Sequence, residues 1–349
     1  MKECEAAAVW GLFRFNWIAI GSIVMAFGLS LLLSDFHVRS QGYLIVAGIA
    51  VVYGWFGWRN AVSRTRQNPR IAFPLAAIAQ LVVVIPVMTS ISYVATSANL
   101  PLMDATLLAC DRALGFDFRS YLGFIDDRPW LVWILATGYR TIACSVLVTA
   151  VMLPLAGHYR RVAEFISAFT LALILTIGIS ALVPAIGVYG ELKMAASDFP
   201  NIVPQGYYDT LRDAPLLRDG TLRSLDLFEL VGVLTFPSFH AVSAVLYAWA
   251  LWPVRWFRPV NLLCNGAMIA ATPVGGGHYM VDVIAGVAVA GLAILVARRV
   301  SRAVAFGAYS CPRTGFHPRV KPDQIHTTSS PEHALAEKSL LSKPRGAAH

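Results

Sequence analysis

The sequence carries little charge for its length. Only 14% of its 349 residues are Asp, Glu, Lys or Arg, against about 25% in an ordinary soluble protein. Hydrophobic residues make up 57% and gather in long runs that contain almost no charge. Such runs of about 20 residues are what a bilayer core requires. The scarcity of charge therefore argues against a soluble protein and predicts a polytopic membrane protein.

Cysteine patterns and metal-ligand patterns are missing as well. The five cysteines are scattered, without CxxC spacing, and the sequence has no histidine cluster at metal-ligand spacing. We therefore predict no zinc site, no disulfide framework, no metal and no cofactor. Lys2 and Arg14 precede the first apolar run, but no small-residue cleavage site follows it, so we expect a retained first span.

The net charge of +8 does not indicate a nucleic-acid partner. The basic residues lie in short loops between apolar runs and in the tail, which is the positive-inside pattern of membrane proteins. The apolar runs predict an all-α, polytopic membrane helix bundle with about eight spans. The predicted spans are residues 16–33, 43–58, 71–94, 130–153, 162–183, 239–253, 259–274 and 281–297.

The loops predict an orientation. Arginines without acidic neighbours occupy residues 59–70, and further arginines occupy residues 160–161, 255–258 and 298–302. With an even number of spans these places share one side, which should be the cytoplasm. The two long, net-negative loops then lie outside the cell. The tail from Ser310 onward has little apolar periodicity and is predicted to be a disordered, basic cytoplasmic segment.

Two histidine motifs stand where outside loops meet helix starts. The first is Thr235-Phe236-Pro237-Ser238-Phe239-His240, and the second is Gly275-Gly276-Gly277-His278-Tyr279-Met280-Val281-Asp282. A helix N-terminus offers free backbone N–H groups and a positive dipole end, so it binds phosphate well. Ser238 adds a hydroxyl, and glycines such as Gly277 let the backbone approach a ligand. We expect both motifs to bind one phosphate.

The spacing of His278 and Asp282 indicates a catalytic pair. Residues four apart share a helix face, and an aspartate beside a histidine fixes its tautomer and stabilises its cationic form. His240 could then protonate a leaving oxygen. An isolated His-x-x-x-Asp pair is as often a structural hydrogen bond, but two motifs on one membrane face favour a functional site.

At these residues the chain resembles the type 2 phosphatidic acid phosphatase superfamily, whose second signature reads Pro-Ser-x-His. It looks most similar to the inositol phosphorylceramide synthase-like branch, over about residues 71–299. The resemblance implies a six-helix core at residues 71–300, preceded by two added helices at residues 1–70 and followed by the tail at residues 301–349. It also implies that His278 is the nucleophile that forms a phosphohistidine, that Asp282 orients it, that His240 is the general acid and that Ser238 helps to bind the phosphate.

The sequence departs from this family in its cations. Thr272 stands where the superfamily has an arginine, and the Lys-x6-Arg-Pro signature is missing. Basic residues of the second outside loop are candidate substitutes that could bind the substrate, or they are solvated loop charges. They are Lys193, Arg212, Arg218 and Arg223. Arg140 lies inside the fourth span, where a charge is costly and is either paired with a neighbouring helix or functional.

We therefore predict a metal-independent enzyme in the cell membrane, with its active site on the non-cytoplasmic face. Its substrate would be a phospholipid or another lipid phosphate. Water as acceptor gives a phosphatase, whereas a lipid hydroxyl such as that of ceramide gives a phosphotransferase. The alternatives are a lipid transporter or flippase, and a catalytically inactive lipid-binding protein. The spans show no paired interrupted helices of the kind that transporters carry at the membrane midplane.

Overall fold

A computed structural model describes residues 3–62 and 68–309 of the chain. Nearly all of this part is helical, and one two-residue strand pair completes it. The helices are α1 (Glu3–Leu32), α2 (Ser40–Val62), α3 (Pro69–Thr96), α4 (Asp104–Ala113), α5 (Phe118–Asp126), α6 (Pro129–Arg140), α7 (Ile142–Leu155), α8 (Tyr159–Leu182), α9 (Val188–Glu191), α10 (Gln205–Asp219), α11 (Phe239–Leu251), α12 (Arg258–Gly276) and α13 (Met280–Tyr309). The predicted all-α bundle is confirmed. The predicted tail from Ser310 lies outside the described residues.

Each of the eight predicted spans falls on a helix, but the helices differ in their suitability for crossing a bilayer. Five are long and apolar enough, namely α1, α2, α3, α8 and α13. The fourth predicted span is broken into α6 and α7, which meet at 55° and count as a sixth span only if the pair crosses the bilayer as one broken helix. With 13 residues, α11 is shorter than a bilayer core requires. Length and apolarity thus support five or six spans within the described residues, and the expected count of eight stays a prediction.

The bundle is built around α3 and α13. The first packs against α1, α2, α7 and α8, whereas the second packs against α1, α8 and α11. Small side chains permit close contact, because Ala77, Ala168 and Ala290 are fully buried in the shared core. Asn68 begins α3 by accepting a hydrogen bond from the N–H of Arg70, and Pro69 occupies the first turn, where its missing N–H costs nothing.

The two long loops contain short helices that cap one end of the bundle. α4 and α5 lie in the first loop, and α9 and α10 lie in the second. The N–H of Met103 donates to the carbonyl of Pro184, and the N–H of Asn201 donates to the Asp126 carboxylate. A parallel strand pair, β1 (His37–Val38) with β2 (Ser224–Leu225), joins the second loop to the α1–α2 connection. The cap covers the helix ends that carry both histidine motifs.

Candidate active site

His278 precedes α13, and its ring tautomer follows from its partners. Its Nδ1 lies 2.8 Å from the carbonyl oxygen of Thr235 and 3.3 Å from Oδ2 of Asp282. Both partners are acceptors, so Nδ1 carries the proton. The lone pair is therefore on Nε2. The arrangement supplies an oriented nitrogen nucleophile at a nearly buried position.

Asp282 is fully buried, and it connects the two motifs. Its Oδ2 also accepts a hydrogen bond of 2.9 Å from the N–H of Tyr279, while its Oδ1 has no partner within the described part of the chain. Its backbone carbonyl accepts the N–H of Ser238 at 3.1 Å. One residue thus orients the His278 ring and joins the start of α13 to the start of α11.

His240 and His278 line the same cavity, which has a volume of about 270 Å³. The walls are largely apolar and come from the interior of the bundle, with Ile85 of α3, Val146 of α7 and Leu173 of α8 among them. The ring of Tyr139 stacks on the ring of His240, with centroids 3.8 Å apart and planes inclined by 14°. Such a cavity can hold a lipid chain against the two imidazoles.

The glycines before His278 make room for aromatic rings. A Cβ added to Gly276 would lie 2.8 Å from Nε2 of His278 and 2.9 Å from the hydroxyl of Tyr139. A Cβ added to Gly275 would lie 2.8 Å from the Tyr139 ring. Gly277 adopts φ +65°, a backbone conformation that favours glycine. Glycine is therefore needed on the face of His278 where Nε2 is available.

The expectation that both helix starts offer free N–H groups to phosphate is wrong for α13. The carboxylate of Asp111 in α4 accepts hydrogen bonds from the N–H groups of Met280 at 2.7 Å and Val281 at 2.8 Å. The next N–H group toward the N-terminus, that of Tyr279, is bound by Asp282. Burial raises the pKa of Asp111, and the two amide donors offset part of that effect. A buried side chain thus already occupies the anion-binding end of this helix.

A second carboxylate of α4 fixes the loop around His278. Asp104 accepts hydrogen bonds from the N–H groups of Ile186 and Gly187 and from the hydroxyl of Tyr279. In addition, the N–H of Val188 donates to the carbonyl of Gly277 at 2.9 Å. The sequence reasoning missed the positioning role of α4. The spacing of Asp104 and Asp111, two turns apart on one helix face, was the available signal.

The predicted substrate-binding residues do not line this cavity. Ser238 is fully buried, and its Oγ accepts the N–H of Ala241 as the N-cap of α11. Gly277 packs against Tyr189 and Tyr207. Thr272, at the position of the superfamily arginine, is buried and donates to a carbonyl one turn earlier. The substrate-binding roles of Ser238 and Gly277 stay predictions without a supporting contact.

The four loop cations are likewise absent from the cavity wall. Arg212 forms a bidentate ion pair with Asp213. Arg218 and Arg223 donate to backbone carbonyls, and Lys193 is exposed. The pKa of Asp213 is lowered: burial alone would raise it, but the hydrogen bonds from Arg212 and a tyrosine outweigh burial. The expected binding roles of Lys193 and Arg218 therefore have no geometric support.

Arg140, by contrast, shares a cavity with His240. It ends α6 at the 55° break, and it lines a second cavity of about 620 Å³ together with His240, Gln205 and Asp209. Within residues 3–62 and 68–309 no carboxylate lies within 4 Å of its guanidinium, so the expected pairing with a neighbouring helix is not seen. The two cavities share Tyr139 and His240. The first cavity thus adjoins, at the general-acid candidate, a second cavity whose lining includes the charged residues Arg140 and Asp209.

Metal ligands are not grouped in the described part of the chain: no three His, Cys, Asp or Glu side chains there could hold one ion. The two histidine motifs bring together two imidazoles and one carboxylate.

The fold and site define a multi-pass membrane protein with a buried histidine–aspartate pair and a second histidine in one cavity. Residues 105–296, more than half of the chain, match the family model of the PAP2 superfamily. The chain therefore belongs to the PAP2 superfamily, which makes it a membrane protein of phosphatase type. No curated protein and no solved structure shows significant similarity to it.

Proposed function

We propose that this protein transfers a phosphoryl or phospho-headgroup from a lipid phosphate ester through a phosphohistidine on His278. The observation that supports this most is the oriented His278, whose Nε2 lone pair shares an apolar cavity with His240. That cavity suits the hydrocarbon part of a lipid, and the adjoining cavity, with Arg140 and Asp209 in its lining, suits the headgroup or the entering acceptor.

The reaction has two steps. Nε2 of His278 attacks phosphorus, the P–O bond to the lipid alcohol breaks, and the proton of His240 passes to the leaving oxygen. The phosphorylated imidazole retains its Nδ1 proton and is cationic, so the Asp282 carboxylate stabilises it. His240 then takes the proton of the entering hydroxyl, whose oxygen attacks phosphorus and breaks the P–N bond. Both histidines return to their starting states.

The charges around the site favour a phosphodiester as substrate. A phosphate monoester is close to a dianion at neutral pH because its second pKa is about 6, whereas a diester carries one negative charge. Asp111 blocks the start of α13, and Arg140 lines the second cavity together with the acidic Asp209. A site with so few cations stabilises one negative charge better than two. That preference concerns the donor alone and agrees with transfer of a phospho-headgroup, as in the inositol phosphorylceramide synthase-like branch. Whether water or a lipid hydroxyl accepts the group is decided by the assay below.

The test uses purified full-length protein in mixed micelles. A phospholipid diester with ceramide as acceptor is compared with phosphatidic acid in water, and both the new headgroup lipid and free phosphate are measured. We expect the diester reaction to be faster and to form a labelled phosphoenzyme. Rapid phosphate release from phosphatidic acid without headgroup transfer would instead identify a phosphatase. If neither product forms, the result contradicts an enzymatic role.

Variants separate the roles of the two histidines. His278→Ala should lose the phosphoenzyme and turnover with every substrate. His240→Ala should lose lipid turnover but retain part of the activity toward an aryl phosphate, because a good leaving group needs no proton. The exposed His37 provides the matched control, and His37→Ala should behave like the wild type. If His278→Ala formed the phosphoenzyme and His240→Ala did not, His240 would be the nucleophile and His278 the general acid.

We also propose that the histidines face the non-cytoplasmic side of the cell membrane. Arg255 and Arg258 follow α11, and Arg298 and Arg302 lie near the end of α13, so these arginines are at the opposite ends of the two helices that begin at the histidines. A cysteine is placed at Ala61, near the end of α2, in a variant of the protein whose native cysteines have been replaced. In intact cells this cysteine should resist a membrane-impermeant thiol reagent. Efficient labelling at this position would contradict the proposed orientation and place the histidines on the cytoplasmic side.

A further inference from the structure

Four arginines converge at the end of the bundle away from the histidines. Arg160 and Arg161 at the start of α8 and Arg298 and Arg302 near the end of α13 line a cavity of about 390 Å³. Arg298 lies 16 residues beyond Asp282, or about 24 Å along the helix. This distance is close to the hydrocarbon thickness of a bilayer, about 30 Å. The cavity and the candidate active site are therefore at opposite membrane faces.

One carboxylate in this cavity serves two of the arginines. Glu164 accepts hydrogen bonds from Arg160 at 3.2 Å and from the hydroxyl of Ser301 at 2.7 Å, and Arg161 lies 3.6 Å from its other oxygen. No Asp or Glu lies within 4 Å of Arg298 or Arg302 in the part of the chain that the structure describes. The cavity thus carries four positive charges against one negative charge.

The placement of these charges costs stability on its own. Arg160 and Arg161 stand at the positive end of the α8 dipole, where cations are unfavourable, and no side chain caps that helix start. Arg298 and Arg302 are a like-charge pair four residues apart on one helix. Positive loop charge would orient the protein equally well if the arginines were dispersed. A bound anion would stabilise their convergence.

The surroundings place the cavity at the level of lipid headgroups. Arg161 lies over the ring of Trp249 at 4.4 Å. Trp252 and Trp256, which follow α11 at the same end of the bundle, are exposed, and exposed tryptophans are typical of membrane interfaces. Guanidinium groups bind phosphate in bidentate geometry, and basic pockets between membrane helices bind anionic headgroups.

We propose that Arg160, Arg161, Arg298 and Arg302 form a binding site for the phosphate group of an anionic phospholipid headgroup, at the face opposite the histidines. The site is independent of the proposed reaction. The same chemistry would accept soluble phosphate, so the test must distinguish the two sources.

The test measures lipid retention by native mass spectrometry. Full-length protein is purified from vesicles of phosphatidylcholine with one tenth phosphatidylglycerol, and its affinity for phosphatidylglycerol is titrated in detergent. The double variant Arg298→Gln/Arg302→Gln should bind about thirty-fold more weakly, since each arginine near an anionic surface contributes about fivefold. Arg299 is exposed on the same helix outside the cavity, so Arg299→Gln is the matched control and should bind like the wild type.

Two further arms decide between the remaining outcomes. Millimolar inorganic phosphate should not displace the lipid, and displacement would reassign the site to soluble phosphate. Arg298→Lys/Arg302→Lys keeps the charge and should retain most of the binding, which separates lost charge from damaged folding. Equal retention by the wild type and the glutamine double variant would overturn the proposal and leave the arginines with an orienting role alone.

Discussion

Asp282→Asn tests how the active-site imidazole is held. The substitution removes a unit charge 3.3 Å from Nδ1, which contributes about 5 kcal/mol at an effective dielectric constant of about 20. If half of the positive charge has developed on the ring in the transition state, the barrier rises by about 2.5 kcal/mol, or about 70-fold in rate. The tautomer should survive, because the Thr235 carbonyl still accepts the Nδ1 proton at 2.8 Å.

This expectation differs from that for a serine-protease triad, where the same change flips the tautomer and costs about ten-thousand-fold. The assay is single-turnover formation of the phosphoenzyme, together with kcat/KM for lipid substrate. Oδ1 of Asp282 has no hydrogen-bond partner within the described residues, so the amide NH2 of asparagine at this position would be buried without an acceptor. An unpaired buried donor costs about 1–3 kcal/mol of stability, so elution and thermal unfolding of the variant must be checked first. A loss of rate near ten-thousand-fold in folded protein would falsify the supporting role of Thr235. A loss of rate below threefold would show that the charge of Asp282 does not contribute to the reaction.

Three more predictions follow from the packing around His278. Gly276→Ala should lower kcat about 100-fold or more with little change in fold, because the new Cβ would displace the His278 ring; circular dichroism and steady-state kinetics check this. Asp111→Ala should destabilise the protein by about 1–2 kcal/mol by freeing two amides at the start of α13, whereas the exposed Asp127→Ala should be neutral in the same thermal unfolding assay. Activity should persist in excess chelator, since two imidazoles and a carboxylate suffice for the covalent route; activity that disappears and returns with magnesium contradicts the scheme.

Hydropathy predicted the helices of the bundle because a bilayer demands long apolar runs, and each predicted span does fall on a helix. The capping helices were missed. α4 and α5 are short and mixed in polarity, and their stability comes from long-range contacts such as the one between Asp111 and the start of α13. The break between α6 and α7 was also missed, although Gly138, Arg140 and Thr141 interrupt the apolar run at that point.

The chemistry of the site was more predictable than its surroundings. The four-residue spacing placed Asp282 beside His278, as the contact at 3.3 Å shows. The second acceptor on that ring is the backbone carbonyl of Thr235, and a carbonyl leaves no signature in a sequence. The occupied end of α13 could not be foreseen for a similar reason, because its partner Asp111 is 169 residues away along the chain.

The apolar cavity has a consequence for how the reaction rate should be expressed. Much of its wall consists of apolar side chains of α3, α7 and α8, so under the proposed function we expect a lipid substrate to reach His278 from the bilayer and not from solution. The concentration that governs saturation is then the mole fraction of substrate within the membrane. Dilution of the substrate with inert lipid should slow the reaction, whereas the addition of water at fixed membrane composition should leave the rate per enzyme unchanged. A Michaelis constant in molar units would therefore change with the amount of lipid in the assay. A Michaelis constant expressed as a mole fraction of substrate in the membrane would be a property of the protein.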